Sequence, residues 1–294
     1  MNKVAIITRT QNRAILLPRV LDSLSNQTYK DFIWVLVNDD GVHEPVDNIA
    51  LLAKSKGIDV KVIHRTKSTG MEAVSNDGIN QSDSEYILIH DDDDSLYPEF
   101  LEVTVAHLDK ECDQVGVVVH STKIMEEITE KGVKILWKAP YNNWLRAIFL
   151  SDLAIQNQFP PISFLFRRTI YTEVGGFDES LPVLGDWDFH LKCNLKNNIG
   201  VIPKELAYYH HRPDAGNSAY ANSITAAIDK HAYYESVVRN NFLRQDISNN
   251  SMGLGVLLSM GRYTNMLTYK LSPLEKIFTL LRKVGRKTRL DRFL

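Results

Sequence analysis

Tyr86-Ile87-Leu88-Ile89-His90-Asp91-Asp92-Asp93-Asp94 sets a short apolar run directly before four adjacent carboxylates. A run this short, built from Ile, Leu and an aromatic, reads as a buried strand. Four neighbouring carboxylates repel one another, and a solvated turn gains nothing from four where one would serve. A divalent cation offsets such repulsion. Mg2+ and Mn2+ take oxygen ligands, and Mg2+ is typically held by one or two carboxylates plus substrate phosphates. Asp91 and Asp93 alternate along an extended segment and so share a direction. An idle acidic turn is the competing reading, and the position straight after a buried strand argues against it.

Outward from this stretch the first half of the chain alternates strand-like and helix-like segments. Val4–Thr8, Phe32–Asn38, Val60–His64 and Tyr86–His90 read as strands, with helical patterns over Ile15–Asn26, Val46–Lys56 and Met71–Gln81 between them. Strands alternating with helices predict an α/β fold with a mostly parallel central sheet and helices on both faces. Ligands of such sheets sit at the carboxyl ends of the strands. The informative residues are then Thr8-Arg9-Thr10, Asn38-Asp39-Asp40-Gly41 and Asp91–Asp94. An acid ending the second strand suits a ribose or base N–H, although Asp-Gly is also an ordinary turn signal. The first strand is followed by no G-x-G-x-x-G, and G-x-x-x-x-G-K-[ST] occurs nowhere, which removes the dinucleotide and P-loop readings.

The second half is less regular. Pro98–Lys110 and Trp144–Leu153 read as helices, Val115–Ser121 and Ile162–Phe166 as strands, and Lys123–Glu127 with Val133–Lys138 as a hairpin around Glu130-Lys131-Gly132. Gly175-Gly176 marks a turn, and Asp186–Lys196 reads as a helix with Asp186 at or near its start. A carboxylate there is an ordinary cap, yet Trp187 beside it can desolvate it and raise its basicity, as a general base requires. Tyr208-Tyr209-His210-His211-Arg212-Pro213 follows two short strands, Val201–Ile202 and Ala207–His210. It offers an imidazole for a metal and a guanidinium for a diphosphate. A long helix is predicted over Ser223–Leu243, and Ser272-Pro273-Leu274-Glu275 reads as a capping box opening a last helix.

Composition bounds these readings. With 294 residues, 44% hydrophobic and 24% charged, the chain fits one large α/β domain or a catalytic domain with an appendage, and disorder and disulfide scaffolds are excluded. Cys112 and Cys193 form no ligand pattern, and Met1–Ile7 is too short for a signal h-region, so a cytoplasmic protein is expected. The net charge of −2 hides an asymmetry: residues 270–294 hold eight Lys/Arg against two acids, leaving an acidic body of −8. That body is a poor match for nucleic acid. The basic tail carries Leu274, Ile277, Phe278, Leu281 and Val284 at helical spacing, so it either packs on the domain or lies on the inner face of an anionic membrane.

The patches taken together resemble the inverting nucleotide-sugar transferases of glycosyltransferase family 2, which have a GT-A fold. The resemblance rests on Ile6-Ile7-Thr8-Arg9-Thr10-x-Asn12-Arg13, Ser23-Leu24-x-x-Gln27-Thr28-Tyr29, Val37-Asn38-Asp39-Asp40-Gly41, Asp91-x-Asp93-Asp94-x-x-x-Pro98, Gly175-Gly176-Phe177-Asp178 and Asp186-Trp187-Asp188, over about residues 3–215. It implies a catalytic domain over 1–215, with a nucleotide-binding half to about 95 and an acceptor half from about 96, and a C-terminal helical extension over 216–294. Thr8 and Asp39 would contact nucleobase and ribose, with Arg9, Thr10 and Asp40 nearby. Asp93 would bind Mn2+ or Mg2+ in a D-x-D-type motif with Asp91 or Asp92 near the ribose, and His210 would complete the metal site. Asp186 would be the base, and Arg212 would steady the diphosphate. The implied donor is a UDP- or dTDP-sugar, and the implied acceptor is a hydroxyl of a glycan or lipid-linked molecule of a bacterial surface polysaccharide. One departure stands out: relatives often carry a basic residue in the segment matching Gly70–Asn76, which here has none, leaving Arg65 or Lys67 as substitutes.

Two other functions compete. A haloacid-dehalogenase-type phosphatase would use Asp91-x-Asp93-x-Ser95, but that family opens its core with the motif, whereas three strand–helix units precede it here. A non-catalytic sugar-binding protein with the same fold is the other.

Overall fold

The computed structural model describes residues 2–130, 132–212 and 228–288, with side chains as far as residue 271. The first strand, β1 (Val4–Thr10), is buried along nearly its whole length because parallel neighbours pair with both of its edges. It lies between β2 (Phe32–Asp39) and β4 (Tyr86–Asp91), and β3 (Asp59–Arg65) lies outside β2. All pairs in this half are parallel, as the alternation of strands and helices predicts. Beyond β4 the sheet becomes mixed. β8 (Phe164–Arg167) runs antiparallel between β4 and β6 (Gly116–Thr129), β9 (Ile199–His211) runs parallel to β6, and the short β5 (Ser95–Leu96) closes that edge. β7 (Gly132–Pro140) pairs with β6 as the expected hairpin.

The helices cover the sheet for local reasons. α1 (Leu17–Ser25) buries Leu17, Val20, Leu21 and Leu24, the spacing of one helical face, and Pro18 sits in its first turn. α2 (His43–Ser55) buries Val46, Ala50 and Ala53. α3 (Met71–Ile79) approaches β1 so closely that a Cβ on Gly78 would meet Ile7 Cγ2 at 2.4 Å, so only glycine fits there. α4 (Phe100–Lys110) precedes β6.

Several expectations are corrected. The helix expected over Trp144–Leu153 is shorter and later, α5 (Leu150–Ile155), because the preceding residues form turns tied to β6. Residues 161–163 are a 3-10 turn, so the strand expected from Ile162 begins at Phe164. The segments around Lys123 and Val115 are one long strand, and the two pieces around Val201 and Ala207 are likewise one, irregular where its register against β6 shifts. α6 (Arg168–Val174) has no counterpart in the sequence expectation; Gly175 ends it at φ +83°, a left-handed conformation that favours glycine. α7 (Gly185–Lys196) starts at the expected place.

The first compact unit comprises residues 1–153 and 157–238, and the second residues 154–156 and 239–294, the division falling inside α8 (Ile228–Ser248). The expected start of that helix at Ser223 lies outside the described residues. In the second unit, α9 (Leu254–Thr288) runs unbroken through Ser272-Pro273, so the capping box does not open a helix. The amphipathic tail's side chains lie outside the described residues. Among the described residues no helix is long and apolar enough to cross a membrane.

Candidate active site

The parallel strands end together, and register alone pairs several of their terminal residues. Arg9 is the register partner of Asp91, and its Nε and Nη2 donate to Asp91 Oδ1 at 2.7 and 2.5 Å. Asp39 is the register partner of Arg65, which donates to it at 2.6 Å while Ser68 Oγ donates to its other oxygen at 2.6 Å. Asp40 turns away from the strand, exposed and at φ +58°. Arg65, one of the two candidates for a missing basic group, thus serves Asp39. The segment that lacks a basic residue receives Arg9 instead, whose Nη1 donates to Ser75 Oγ at 3.1 Å and lies 3.7 Å from Glu72. Thr8 points the other way. It is wholly buried, and its hydroxyl oxygen accepts the Trp34 indole N–H at 2.9 Å, so its side chain faces the core rather than the strand-end cleft.

The acidic run is less bare than its sequence suggests. Asp92 and Asp93 are buried, and Arg13 donates to Asp93 at 2.8 Å and pairs with Asp92 at 3.0 Å. Burial pushes the Asp92 carboxyl up, with Arg13 and the Thr10 hydroxyl opposing it. Burial acts on Asp93 too, but Arg13 and Arg212 outweigh it and hold its carboxyl well below the usual range. Asp94 accepts the backbone N–H of His210 at 2.9 Å; burial with the charges of Asp93 and Asp91 raises its carboxyl strongly, with that N–H and Arg212 opposing the rise. Arginines therefore offset most of the repulsion that the sequence assigns to a cation. Asp91, Asp93 and Asp94 still offer carboxylate oxygens all within 4.8 Å of one another. That hard, oxygen-only set fits a divalent cation.

His210 and Arg212 are engaged in a network centred on Glu126, a residue the sequence reading overlooks. Arg212 is buried, donating to Glu126 Oε1 at 2.6 Å and also to Asp93. Arg19 forks onto Glu126 at 3.0–3.1 Å. His210 Nδ1 meets Glu126 Oε2 at 2.8 Å and its Nε2 meets Ser95 Oγ at 2.9 Å. His210 is thus held by protein partners, and the carboxylates that cluster are Asp91, Asp93 and Asp94 rather than Asp93 with His210. Burial works against the charge of Glu126, yet His210 and Arg19 bring its carboxyl down to about 2. The available signal was a carboxylate at an apolar step of the alternation Ile124, Glu126, Ile128.

Asp186 stands in the first turn of α7, just after Leu184, which is held at φ +66°. Its Oδ2 accepts Asn157 Nδ2 at 2.7 Å, and burial raises its carboxyl while Trp187 N–H, Arg9 and Asn157 oppose the rise. Asp186 borders a small gap, about large enough for one water, that is lined by Arg9, Glu72, His190 and the buried rings of Phe164, Phe166, Phe177 and Phe189. Arg9 lines this gap and is bonded to Asp91, so Asp186 and the acidic strand end act on one guanidinium. Glu72 and Asn157 are further residues without a local sequence signal.

The family model for Glycosyl transferase family 2 matches residues 5–174, from β1 to the end of α6. The chain belongs to glycosyl transferase family 2. This glycosyltransferase is 27% identical over 222 residues to the glycosyltransferase YwdF of Bacillus subtilis, covering 75% of this chain and 78% of that one. It is 26% identical over 226 residues to a PGL/p-HBAD biosynthesis glycosyltransferase of Mycobacterium bovis, covering 77% and 80%. Among solved structures, S. aureus TarS 1–349 in complex with UDP-GlcNAc superposes with a TM-score of 0.67 at 18% identity, over 92% of this chain and 73% of that one. The mannosyltransferase PcManGT from Pyrobaculum calidifontis, in complex with GDP-Man and Mn2+, gives 0.58 at 16% identity, over 97% and 86%. The transferase has the GT-A fold these neighbours share.

Proposed function

We propose that the enzyme transfers a sugar, with inversion, from a UDP- or dTDP-sugar to a hydroxyl of a glycan or lipid-linked acceptor in bacterial surface polysaccharide synthesis. The observation that carries this reading is Asp186, desolvated by burial and close enough to feel the charge of Arg9, whose guanidinium is bonded to the acidic strand end at Asp91. Asp186 takes the proton of the acceptor hydroxyl. The freed oxygen pair attacks the anomeric carbon as its bond to the phosphate oxygen breaks, and the electrons of that bond leave with the nucleoside diphosphate. A positioned carboxylate base contributes typically ~10²–10⁴-fold. Asp39, Thr10 and Asp40 border the nucleoside side. Asp92 stays buried beneath the strand end, where Arg13 keeps it and Asp93 in register. Asp91, Asp93 and Asp94 would hold Mn2+ or Mg2+, which supplies charge stabilisation for the departing diphosphate. Arg212 and His210 act one step back, fixing Asp93 and Asp94 in place.

The bound ligands of the two structural neighbours support a nucleotide-sugar donor and a divalent cation. The basic tail supports residence at the inner membrane face, where a lipid-linked acceptor is presented.

A panel of nucleotide sugars screened by thermal shift with Mn2+ tests the reading. A bound donor raises Tm in proportion to ln(1 + [L]/Kd). The expected result is a rise with one UDP- or dTDP-sugar that disappears in Asp93→Ala. A flat response across the panel overturns it.

A further inference from the structure

Residues 141–145 form a turn fastened to β6 at both ends. Tyr141 N donates to Ser121 O at 2.8 Å, the buried Asn142 accepts Ser121 N at 2.7 Å, and Leu145 O meets His120 Nε2 at 2.8 Å. Between the fully buried Asn142 and the nearly buried Leu145, Trp144 is 60% exposed. An exposed indole on a pinned turn does not contribute to the core, and the backbone that carries it is already ordered before a ligand binds.

The indole does not stand alone. Its ring lies 6.4 Å from that of Tyr141, which meets Tyr209 edge-on at 5.1 Å, and Tyr209 meets His211 at 4.2 Å. Neither phenol hydroxyl has a hydrogen-bond partner among the described residues. Both lie in the field of Asp186, and Tyr209 also in that of Asp94 and Asp93. Burial, and after it these negative charges, raise both phenols, so they remain protonated donors. An aromatic cluster therefore runs from solvent to the residue before His210, whose backbone N–H is bonded to Asp94 of the acidic strand end, and it lies within the field of Asp186.

We infer that Trp144, Tyr141 and Tyr209 form the acceptor subsite, binding a pyranoside whose C–H face rests on the rings and whose hydroxyls take the free phenol donors. A sugar ring is the occupant because both halves of the surface are used: flat apolar faces, and unpaired donors spaced along them. A lipid chain would leave the donors unsatisfied, which costs free energy on burial. This inference rests on the transferase reading, since it takes Asp186 as the base toward which the sugar's hydroxyl is directed.

Saturation-transfer NMR tests it on the full chain with UDP and Mg2+, using methyl glycosides of glucose, galactose, N-acetylglucosamine, mannose and rhamnose as probes. At least one should bind. Trp144→Ala should weaken it by about tenfold, equivalent to about 1.4 kcal/mol, and Tyr209→Phe should weaken it to a smaller degree. UDP affinity, measured by calorimetry on the same samples, reports on the donor site and on folding. The inference is overturned if no pyranoside binds the wild-type chain, or if Trp144→Ala and Tyr209→Phe bind as wild type does. Loss of UDP binding in the wild-type chain would instead strike the transferase reading, and a Trp144-dependent pyranoside signal would survive it.

Discussion

Asn157 Nδ2 donates to Asp186 Oδ2 at 2.7 Å. Its own carbonyl oxygen accepts from His190 Nδ1 at 3.0 Å, and burial brings the His190 imidazole down to about 3, so that ring is neutral with its proton on Nδ1. The amide is thereby oriented from behind, and it holds one carboxylate oxygen of Asp186. Phe159 and Phe164 pack on the imidazole and complete the support.

Removing this support should impair the base without touching the donor. Asn157→Ala is expected to lower kcat about tenfold, a modest share of the ~10²–10⁴ that general-base catalysis contributes. The lost hydrogen bond stabilised the ionised carboxylate, so Asp186 should be raised further. The ascending limb of the kcat–pH profile should then shift to higher pH. An unmoved profile would show that Asn157 does not orient the base.

Asp186→Asn keeps the shape and the Leu184 turn but cannot take a proton. Transfer should fall by roughly 10²–10⁴-fold, with UDP affinity by calorimetry within twofold of wild type. Retained turnover would refute the assignment.

Arg212 lies between Asp93 and Glu126, bonded to both and buried. Arg212→Ala leaves two buried carboxylates short of a partner, and breaking such a pair costs about 3–5 kcal/mol. Chemical denaturation should show a loss of this size. A loss below about 1 kcal/mol, the range of exposed pairs, would mean that the network relaxes around the gap.

Three buried groups set opposite pH limbs of stability, Glu72 one and His90 with His190 the other. Burial raises the Glu72 carboxyl from 4.5 to about 8, with the charges of Asp186 and Asp91 adding to it and Arg9 opposing. The folded chain holds this proton more tightly than the unfolded one, so its stabilising effect is complete below pH 4.5 and is lost as pH rises toward 8. Glu72→Gln should therefore gain in Tm over wild type progressively between pH 5 and 8. His90 and His190 are lowered by burial to about 4 and about 3. The unfolded chain binds these protons first, so stability should fall as pH drops below 6.5. Differential scanning calorimetry across pH 4–8 reads both limbs; a gain for Glu72→Gln that does not vary with pH would refute the first.

The sequence determined the parallel half of the sheet and the level at which its chemistry sits. Apolar runs of four to seven residues, separated by amphipathic segments, admit no other economical burial, and a strand's polar terminus must emerge at the sheet edge. Asp39 and the run from Asp91 to Asp94 were legible as strand-end residues for that reason. The capping box at Ser272-Pro273 misled because such a signal is local, while α9 continues through it. The tertiary structure alone decided which charges meet. Glu126 lies 86 residues from Arg212 and 107 from Arg19, and Asn157 lies 29 from Asp186. Arg9 takes up the space left by a helix without a basic side chain only because β1 and β4 pair in one register. Ion pairs and hydrogen bonds of this kind depend on separations of a few ångströms between chain segments far apart in sequence. Local composition carries no record of those separations; packing of the whole sheet fixes them.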